Sequence, residues 1–401
     1  MRNLKIILID PVMGESSFGT FGRSHWSSIN HEGLCSLSAS AKKSGFKDIS
    51  LVDIRRVRGW GQFKREIAGR RPDVAAFTMR SCDYNVVTKA VEIVKSVSSG
   101  TITVAGGVHP TVAAGEVARD GRIDYIITGE GEISFAALLK SLSCGEKPDR
   151  LIRGAPPVLD DLPFEDRELY DYKVTMRLPN YPGIFEPPMV TLLAGRGCSY
   201  NCGFCQPASR MVSGRERRRS VGNVIEEMRY LRGRYNFRSF KFYDYSFISD
   251  PAWTEEFCEK YKRRGFEADF LCQARSDQIA RNEGLIKRLS GIGLRLIIVG
   301  FESGSQRVLD FLRKGTKAEE NLEAADICKR CNVKVVANIM IGAPTETPDE
   351  VRETVSMVRK MKPDIVSVSY YTPIPGSRLY VIQRVHHPLI EKYLYIHAGL
   401  P

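Results

Sequence analysis

Short apolar runs alternate with amphipathic stretches along almost all of this 401-residue chain. Within residues 1–142 the runs place strands at Lys5–Ile9, Ile49–Asp53, Val74–Thr78, Ile102–Ala105 and Tyr125–Thr128. Helical periods fall between and after them, at Gly33–Ser44, Gly61–Arg70, Asn85–Ser98, Thr111–Arg119 and Ile133–Leu142. Strands that alternate with helices in this way imply a parallel sheet with helices on both faces. From Met189 six more strand–helix units succeed one another, with strands near 189–195, 239–244, 269–274, 295–301, 334–341 and 365–371. Helices fit at 221–234, 251–264, 278–292, 305–313, 317–331 and 347–360. Six units are two short of an eightfold barrel. The expected fold is therefore α/β: a Rossmann-like, doubly wound parallel sheet over 1–142, then a partial (β/α)6 barrel over 189–379. Eight prolines mark 143–188 as a linker, and 380–401 is a tail that packs on or caps the barrel.

Ten cysteines are present, and three stand together in Gly197-Cys198-Ser199-Tyr200-Asn201-Cys202-Gly203-Phe204-Cys205, just behind the first barrel strand. The rest are scattered, which points to a reducing cytoplasm rather than a disulfide framework. Three thiolates on one loop can hold three irons of a cubane cluster and leave the fourth open, whereas electron carriers close all four sites. Zinc is the alternative, but it wants four closed ligands. The next cysteine is Cys258 and the next histidine His386. Cys328 and Cys331, at C-x2-C spacing, read as two cysteines on one helix face. The net charge of +12 favours an acidic or phosphorylated partner. The densest basic run, Arg215 to Arg219, reads as a solvated approach to a helix. No aromatic residues interleave it, so a nucleic-acid surface is not indicated. No apolar run approaches the ~18 residues of a membrane span. The first one ends at Asp10 and Pro11 and reads as a strand, not a signal peptide.

In open α/β sheets ligands bind at the carboxyl ends of the strands. The loops there are Asp10 to Gly22, Thr78 to Tyr84, Gly106 to Thr111 and Thr128 to Glu132. No G-x-G-x-x-G comes after the first strand, which argues against a nicotinamide cofactor.

The three-cysteine loop resembles the signature of the radical S-adenosylmethionine (SAM) superfamily. The loop Gly106-Gly107-Val108-His109-Pro110-Thr111 and the turn Gly129-Glu130-Gly131-Glu132 resemble the cobalamin-binding domain that precedes many such barrels. The resemblance implies a [4Fe-4S] cluster on Cys198, Cys202 and Cys205 whose open iron binds SAM. It places Asp244 at the SAM ammonium, Gln273 and Arg275 at its carboxylate, and Glu302 and Ser303 at the ribose. Met340 and Gly342, in a stretch closed by Glu346, would form the adenine shelf. Cobalamin would meet Met13, Thr78, Arg80, Tyr84, Gly106, Gly107, His109, Gly129, Glu130, Gly131 and Glu132. The D-x-H-x-x-G motif of histidine-ligated cobalt is absent, and neither His25, His31 nor His109 replaces it. The resemblance therefore implies cobalt without a histidine lower ligand, with Arg80 or Tyr84 facing that side.

The activity that the resemblance implies is that of a C-methyltransferase. A 5′-deoxyadenosyl radical from one SAM activates an unactivated carbon, and a methyl group from a second SAM arrives through methylcobalamin. An external one-electron reductant, flavodoxin- or ferredoxin-like, is implied. The favoured substrate is a peptide or protein side chain; a glutamine of methyl-coenzyme M reductase is a candidate. Two other readings stay open: a radical SAM cyclase or rearrangement enzyme on a porphyrin-like or nucleotide substrate, and a cobalamin or cluster carrier without catalysis.

Overall fold

The computed structural model describes residues 2–12, 15–21, 30–178, 180–181, 183–205, 211 and 215–381. Met13, His25, His386, His387 and nearly all of the 380–401 tail lie outside the described residues. The chain forms two compact units: 1–178 with 206–214 and 373–401, and 179–205 with 215–372. Among the described residues no helix is long and apolar enough to cross a membrane.

The first unit is a six-stranded, wholly parallel sheet. Its strands are β1 (Ile6–Asp10), β2 (Ile49–Asp53), β3 (Val74–Thr78), β4 (Ile102–Gly106), β5 (Tyr125–Gly129) and β6 (Leu151–Gly154). They lie in the order β2-β1-β3-β4-β5-β6. The order reverses at β1 and β3, which is where such sheets open a crevice for a ligand. Because side chains alternate across a strand, the two faces collect different residues. Ile7, Ile9, Ala75, Phe77 and Ala105 pack on Phe63, Ile67, Val87, Val91 and Val94 of the helices Trp60–Arg70 and Tyr84–Val97. Ile6, Leu8, Ala76, Val104 and Ile127 pack on Leu34, Ala41, Phe135 and Leu139 of the helices Glu32–Lys43 and Glu132–Ser143.

The sixth strand lies inside the stretch assigned to a linker. Leu151, Ile152 and Arg153 pair in register with Ile126, Ile127 and Thr128. It is four residues long, half exposed and carries an arginine, so it has neither the length nor the apolar run of the other five. The single helix expected at Thr111–Arg119 is instead two short turns, Val108–Val112 and Ala114–Val117.

The second unit is a parallel sheet of β7 (Met189–Leu192), β10 (Ser239–Phe242), β11 (Asp269–Arg275), β12 (Leu294–Glu302), β13 (Lys334–Ile341) and β14 (Ile365–Tyr370). Each strand lies beside its chain neighbour, as repeated strand–helix units require, and the sheet stays open between β7 and β14. Between β7 and β10 lies an antiparallel pair, β8 (Gly195–Arg196) and β9 (Arg217–Arg218). This pair corrects the reading of the basic run. Arg218 and Arg219 are not solvated: their side chains are 9% and 13% exposed. Arg218 donates to the carbonyls of Ser246 and Phe247, and Arg219 to the carbonyl of Leu193 and the buried Glu227. Cys328 and Cys331 are buried at the end of the helix Ala318–Arg330, as two cysteines of the packing.

Candidate functional site

The three-cysteine loop leaves β8 and is pinned against the end of β11 and the segment that follows the helix Gln306–Phe311. The Gly203 N–H donates to the Leu312 carbonyl at 2.7 Å, and the Cys205 N–H to that of Cys202 at 3.2 Å. The Tyr200 ring lies under the Arg275 guanidinium, 3.5 Å from its centroid to Cζ, and the Tyr200 hydroxyl accepts from Gln278 at 3.2 Å. Cys198 and Cys202 are half-buried, Cys205 is exposed, and none of the three is in a disulfide. Burial pushes the Cys198 thiol up, the nearby Cys202 adds to this, and Arg275 opposes it. Among the described residues no three His, Cys, Asp or Glu side chains converge on a single ion. A cubane puts each thiolate on its own iron, so its ligands need not converge on a point. Three partly exposed thiols on one pinned loop fit that group.

The strand ends around the loop hold three of the expected SAM contacts in charged surroundings. Asp244 is buried behind β10, and its carboxylate accepts from the Ala194 N–H at 3.0 Å. Burial pushes its carboxyl up to about 6, against the pull of that backbone bond and of Arg218. Arg275, 6% exposed, donates from Nε to Asp277 at 2.9 Å and from Nη2 to the Lys314 carbonyl at 2.5 Å. Its Nη1 points at the Cys202 Sγ, 3.7 Å away. Glu302 sits in a left-handed backbone conformation (φ 65°) and accepts from Lys314 Nζ at 2.9 Å. That pair is nearly out of solvent, with side chains 12% and 8% exposed. A Cβ on Gly300 would come 2.5 Å from the Glu302 carboxylate and 3.0 Å from Nζ, so the close approach depends on glycine. Lys314 has no signature in the sequence beyond a lysine before Gly315, and only the fold brings it to Glu302.

The other expected SAM residues divide. Gln273 is half-buried in β11 and its carbonyl accepts from the Phe247 N–H. Met340 is buried in β13. Gly342 comes directly after that strand at φ 78°, and Glu346 accepts from the N–H groups of Gly342 and Ala343 at 2.5 and 3.1 Å. Glu346 thus fixes the turn that ends the strand. Ser303 does not join them. It is fully buried, its hydroxyl shared with Thr354 at 3.0 Å and with the Ser305 N–H at 3.1 Å. It holds the strand end to the helix Pro348–Met361, because a buried hydroxyl must find partners.

In the first unit the expected cobalamin residues also divide. Thr78, Gly106, Gly107 and Gly129 line the ends of β3, β4 and β5. Gly107 has φ 106°, and a Cβ there would stand 3.1 Å from the Met79 backbone. Thr111 ties two of the loops: its hydroxyl donates to the Gly107 carbonyl at 2.7 Å and accepts from the Gly129 N–H at 2.9 Å. Glu130 and Gly131 continue the turn after β5, half-buried. A backbone held this close, with small residues, fits a broad flat ligand. Several polar candidates have partners within the protein instead. Glu132 is buried and accepts from Ser36 at 2.8 Å. Arg80 is folded onto the buried Asp83 through Nε at 2.7 Å and Nη2 at 3.0 Å. Burial works against the charged guanidinium, but the Asp83 carboxylate outweighs it and makes Arg80 hold its proton more firmly than usual. His109 is fully buried, 3.1 Å from the Ser81 hydroxyl and edge-on to the Tyr84 ring, and burial lowers its pKa. It packs beneath the loop rather than facing a ligand. His31 accepts the Leu34 N–H through Nδ1 and so donates to Thr78 through Nε2 at 3.2 Å. Both of its ring nitrogens are spoken for by the protein.

Comparison with known proteins matches residues 192–358 to the Radical SAM superfamily and residues 29–139 to the B12 binding domain. An uncharacterized methyltransferase of Pyrococcus horikoshii is 28% identical over 77% of this chain and 69% of its own length. The anaerobic magnesium-protoporphyrin IX monomethyl ester cyclase of Rubrivivax gelatinosus is 26% identical over 86% of this chain, which spans 64% of that enzyme. Among solved structures, the radical SAM methyltransferase TsrM of Kitasatospora setae, with cobalamin and a [4Fe-4S] cluster bound, shares the fold at a TM-score of 0.74. It does so with 16% identity, over 96% of this chain and 78% of TsrM. Residues 192–358 thus carry a Radical SAM domain and residues 29–139 a B12 binding domain, on a fold shared with a radical SAM methyltransferase that holds cobalamin and a [4Fe-4S] cluster.

Proposed function

We propose that the protein transfers a methyl group from SAM to an unactivated carbon of a peptide or protein side chain, with the electron supplied by an external flavodoxin- or ferredoxin-like reductant. The methyl-transfer reading is carried by the presence on one chain of the pinned three-cysteine loop and a separate sheet whose strand ends bear the glycine-rich, Thr111-tied loops. When bound, the cluster and cobalamin supply SAM cleavage to a 5′-deoxyadenosyl radical and carriage of the methyl group. The protein's part is to place charge and exclude water. Buried Asp244 offers a carboxylate to an ammonium, and Glu302, held by Lys314, offers one to hydroxyl donors. The burial of these groups keeps their directions fixed while the substrate comes and goes.

The peptide reading is supported by the open side of the barrel sheet. β14 is an edge strand whose residues from Val366 to Tyr370 are exposed on both faces. An extended segment of another chain suits such an edge. The glutamine of methyl-coenzyme M reductase is one candidate target. The match to a tetrapyrrole cyclase supports a second reading, ring closure or methylation of a porphyrin-like substrate.

Reconstituted protein, given SAM labelled in its methyl group, a reductant and either peptide or tetrapyrrole fractions, tests both. Label in a peptide product with a mass increase of about 14 Da, one methylene, is expected. Label in a tetrapyrrole moves the substrate class, and 5′-deoxyadenosine with no labelled product rejects methyl transfer.

A further inference from the structure

We propose that Arg275 is a positioning residue of the cluster, holding the cysteine loop and placing a fixed positive charge beside the Cys202 sulfur, rather than a ligand of the SAM carboxylate. Every edge of the guanidinium that the structure shows is already directed. Nε is held by Asp277, Nη2 by the Lys314 carbonyl, Nη1 faces the Cys202 Sγ at 3.7 Å, and the flat face covers the Tyr200 ring at 3.5 Å. A bidentate grip on a carboxylate needs two parallel N–H groups on one edge. Here the Nε/Nη2 edge is divided between Asp277 and the Lys314 carbonyl, and the Nη1/Nη2 edge between the cysteine and that same carbonyl. The residue is 6% exposed, so rotating it toward another anion would strip the Lys314 carbonyl and Asp277 of their donor.

The same contacts give it a use. Tyr200 stands between Cys198 and Cys202 in the sequence, and Gln278, three residues along from Arg275, holds its hydroxyl. The Leu312 carbonyl takes the Gly203 N–H and the Lys314 carbonyl takes Arg275, so one short segment anchors both the loop and its clamp. A hydrogen bond to a ligating sulfur, and a cation near it, favours the more negative, reduced form of a cluster. Asp277 offsets part of that charge but lies on the Nε side, away from the sulfur.

The inference rests on the cluster and not on the identity of the substrate. Arg275→Gln and Arg275→Lys, reconstituted anaerobically in the full chain, test it by iron content, electron-spin-resonance redox titration of the cluster and equilibrium binding of SAM. Arg275→Gln is expected to shift the midpoint to a more negative potential and to hold less iron, with SAM affinity in the loaded fraction unchanged within about twofold. If Arg275→Gln loses the cluster altogether while its circular dichroism stays that of the parent, the clamp is supported, and Arg275→Lys, which keeps the charge without the fork, is expected to titrate nearer the parent. A roughly tenfold or greater loss of SAM affinity with an unmoved midpoint and full iron content would overturn the proposal, since that is the mark of a lost carboxylate grip. Failure of the parent protein to take up iron would instead strike at the cluster itself.

Discussion

The strand-end loops of the two units use opposite chemistry. In the first unit the groups left at the ends of β3, β4 and β5 are hydroxyls, glycines and backbone amides, while the charged side chains nearby are consumed by the fold. Asp10, at the end of β1, is bonded to the Tyr170 hydroxyl at 2.6 Å inside the protein. In the second unit the corresponding ends carry fixed charges, with Arg275 against Asp277 and Glu302 against Lys314, and with Asp244 buried on a backbone N–H. The difference suits the ligands proposed for the two units. A corrin with amide arms is held by shape and by neutral hydrogen bonds, whereas a zwitterion beside an anionic cluster needs charges that are already in place.

The comparison breaks hardest at the cysteines. Cys202→Ala removes one of the three proposed iron ligands and is expected to abolish both the cluster absorbance and 5′-deoxyadenosine formation, while bound cobalamin keeps its visible spectrum. Loss of cobalamin along with the cluster would show that the two units do not load independently.

The next largest effect falls on the ion pair. Lys314→Met takes its partner from a Glu302 carboxylate that is nearly out of solvent, which costs up to about 3 kcal/mol, the low end for a buried pair. Urea unfolding monitored at Trp253, which belongs to the barrel, should show it, and the double variant with Glu302→Leu should recover most of the loss. A single variant as stable as the parent would mean that Glu302 finds water or another partner.

Asp244 sets a pH dependence of the same unit. Its carboxyl rises from the ordinary 3.8 to about 6 because burial penalises the charge. The folded chain therefore binds a proton more tightly than the unfolded chain. The stability gained from that proton is complete below pH 3.8, falls as the pH rises toward 6 and is gone above it. The span amounts to about 3 kcal/mol. Asp244→Asn, whose amide oxygen can still accept from Ala194, should flatten that slope in denaturation series between about pH 4 and 7. An unchanged slope would place the titration elsewhere.

Both sheets were legible in the sequence because their strands are apolar end to end and separated by helical periods. β6 was not, since Leu-Ile-Arg-Gly owes its strand state to the edge of β5 and not to its own residues. The cysteines were legible because three candidate ligands share one loop. Lys314 and Gln278 were not, nor was the contact of Tyr200 with Arg275. Lys314 reaches Glu302 from another segment, Tyr200 and Gln278 gather around Arg275, and only the folded sheet makes these groups neighbours. Ser303, Glu132 and His109 looked functional for the reason that polar residues at strand ends usually do. Burial then gave each a partner within the protein.

The smallest expected effect tests the neutral half of the comparison. Thr111 makes two bonds with one hydroxyl, giving a proton to Gly107 and taking one from Gly129. Thr111→Val keeps the shape and removes both. Stability should fall by about 1 to 2 kcal/mol, since each neutral hydrogen bond contributes about 1 kcal/mol and the Gly129 N–H loses its acceptor. Because the bonds join the loop after β4 to the turn after β5, cobalamin affinity should fall several-fold, while iron content and SAM binding stay those of the parent. Thr111→Ser should restore affinity, as the hydroxyl alone is needed. If Thr111→Val binds cobalamin as the parent does, the two loops hold their shape without this tie, and the glycine backbone alone forms the cradle.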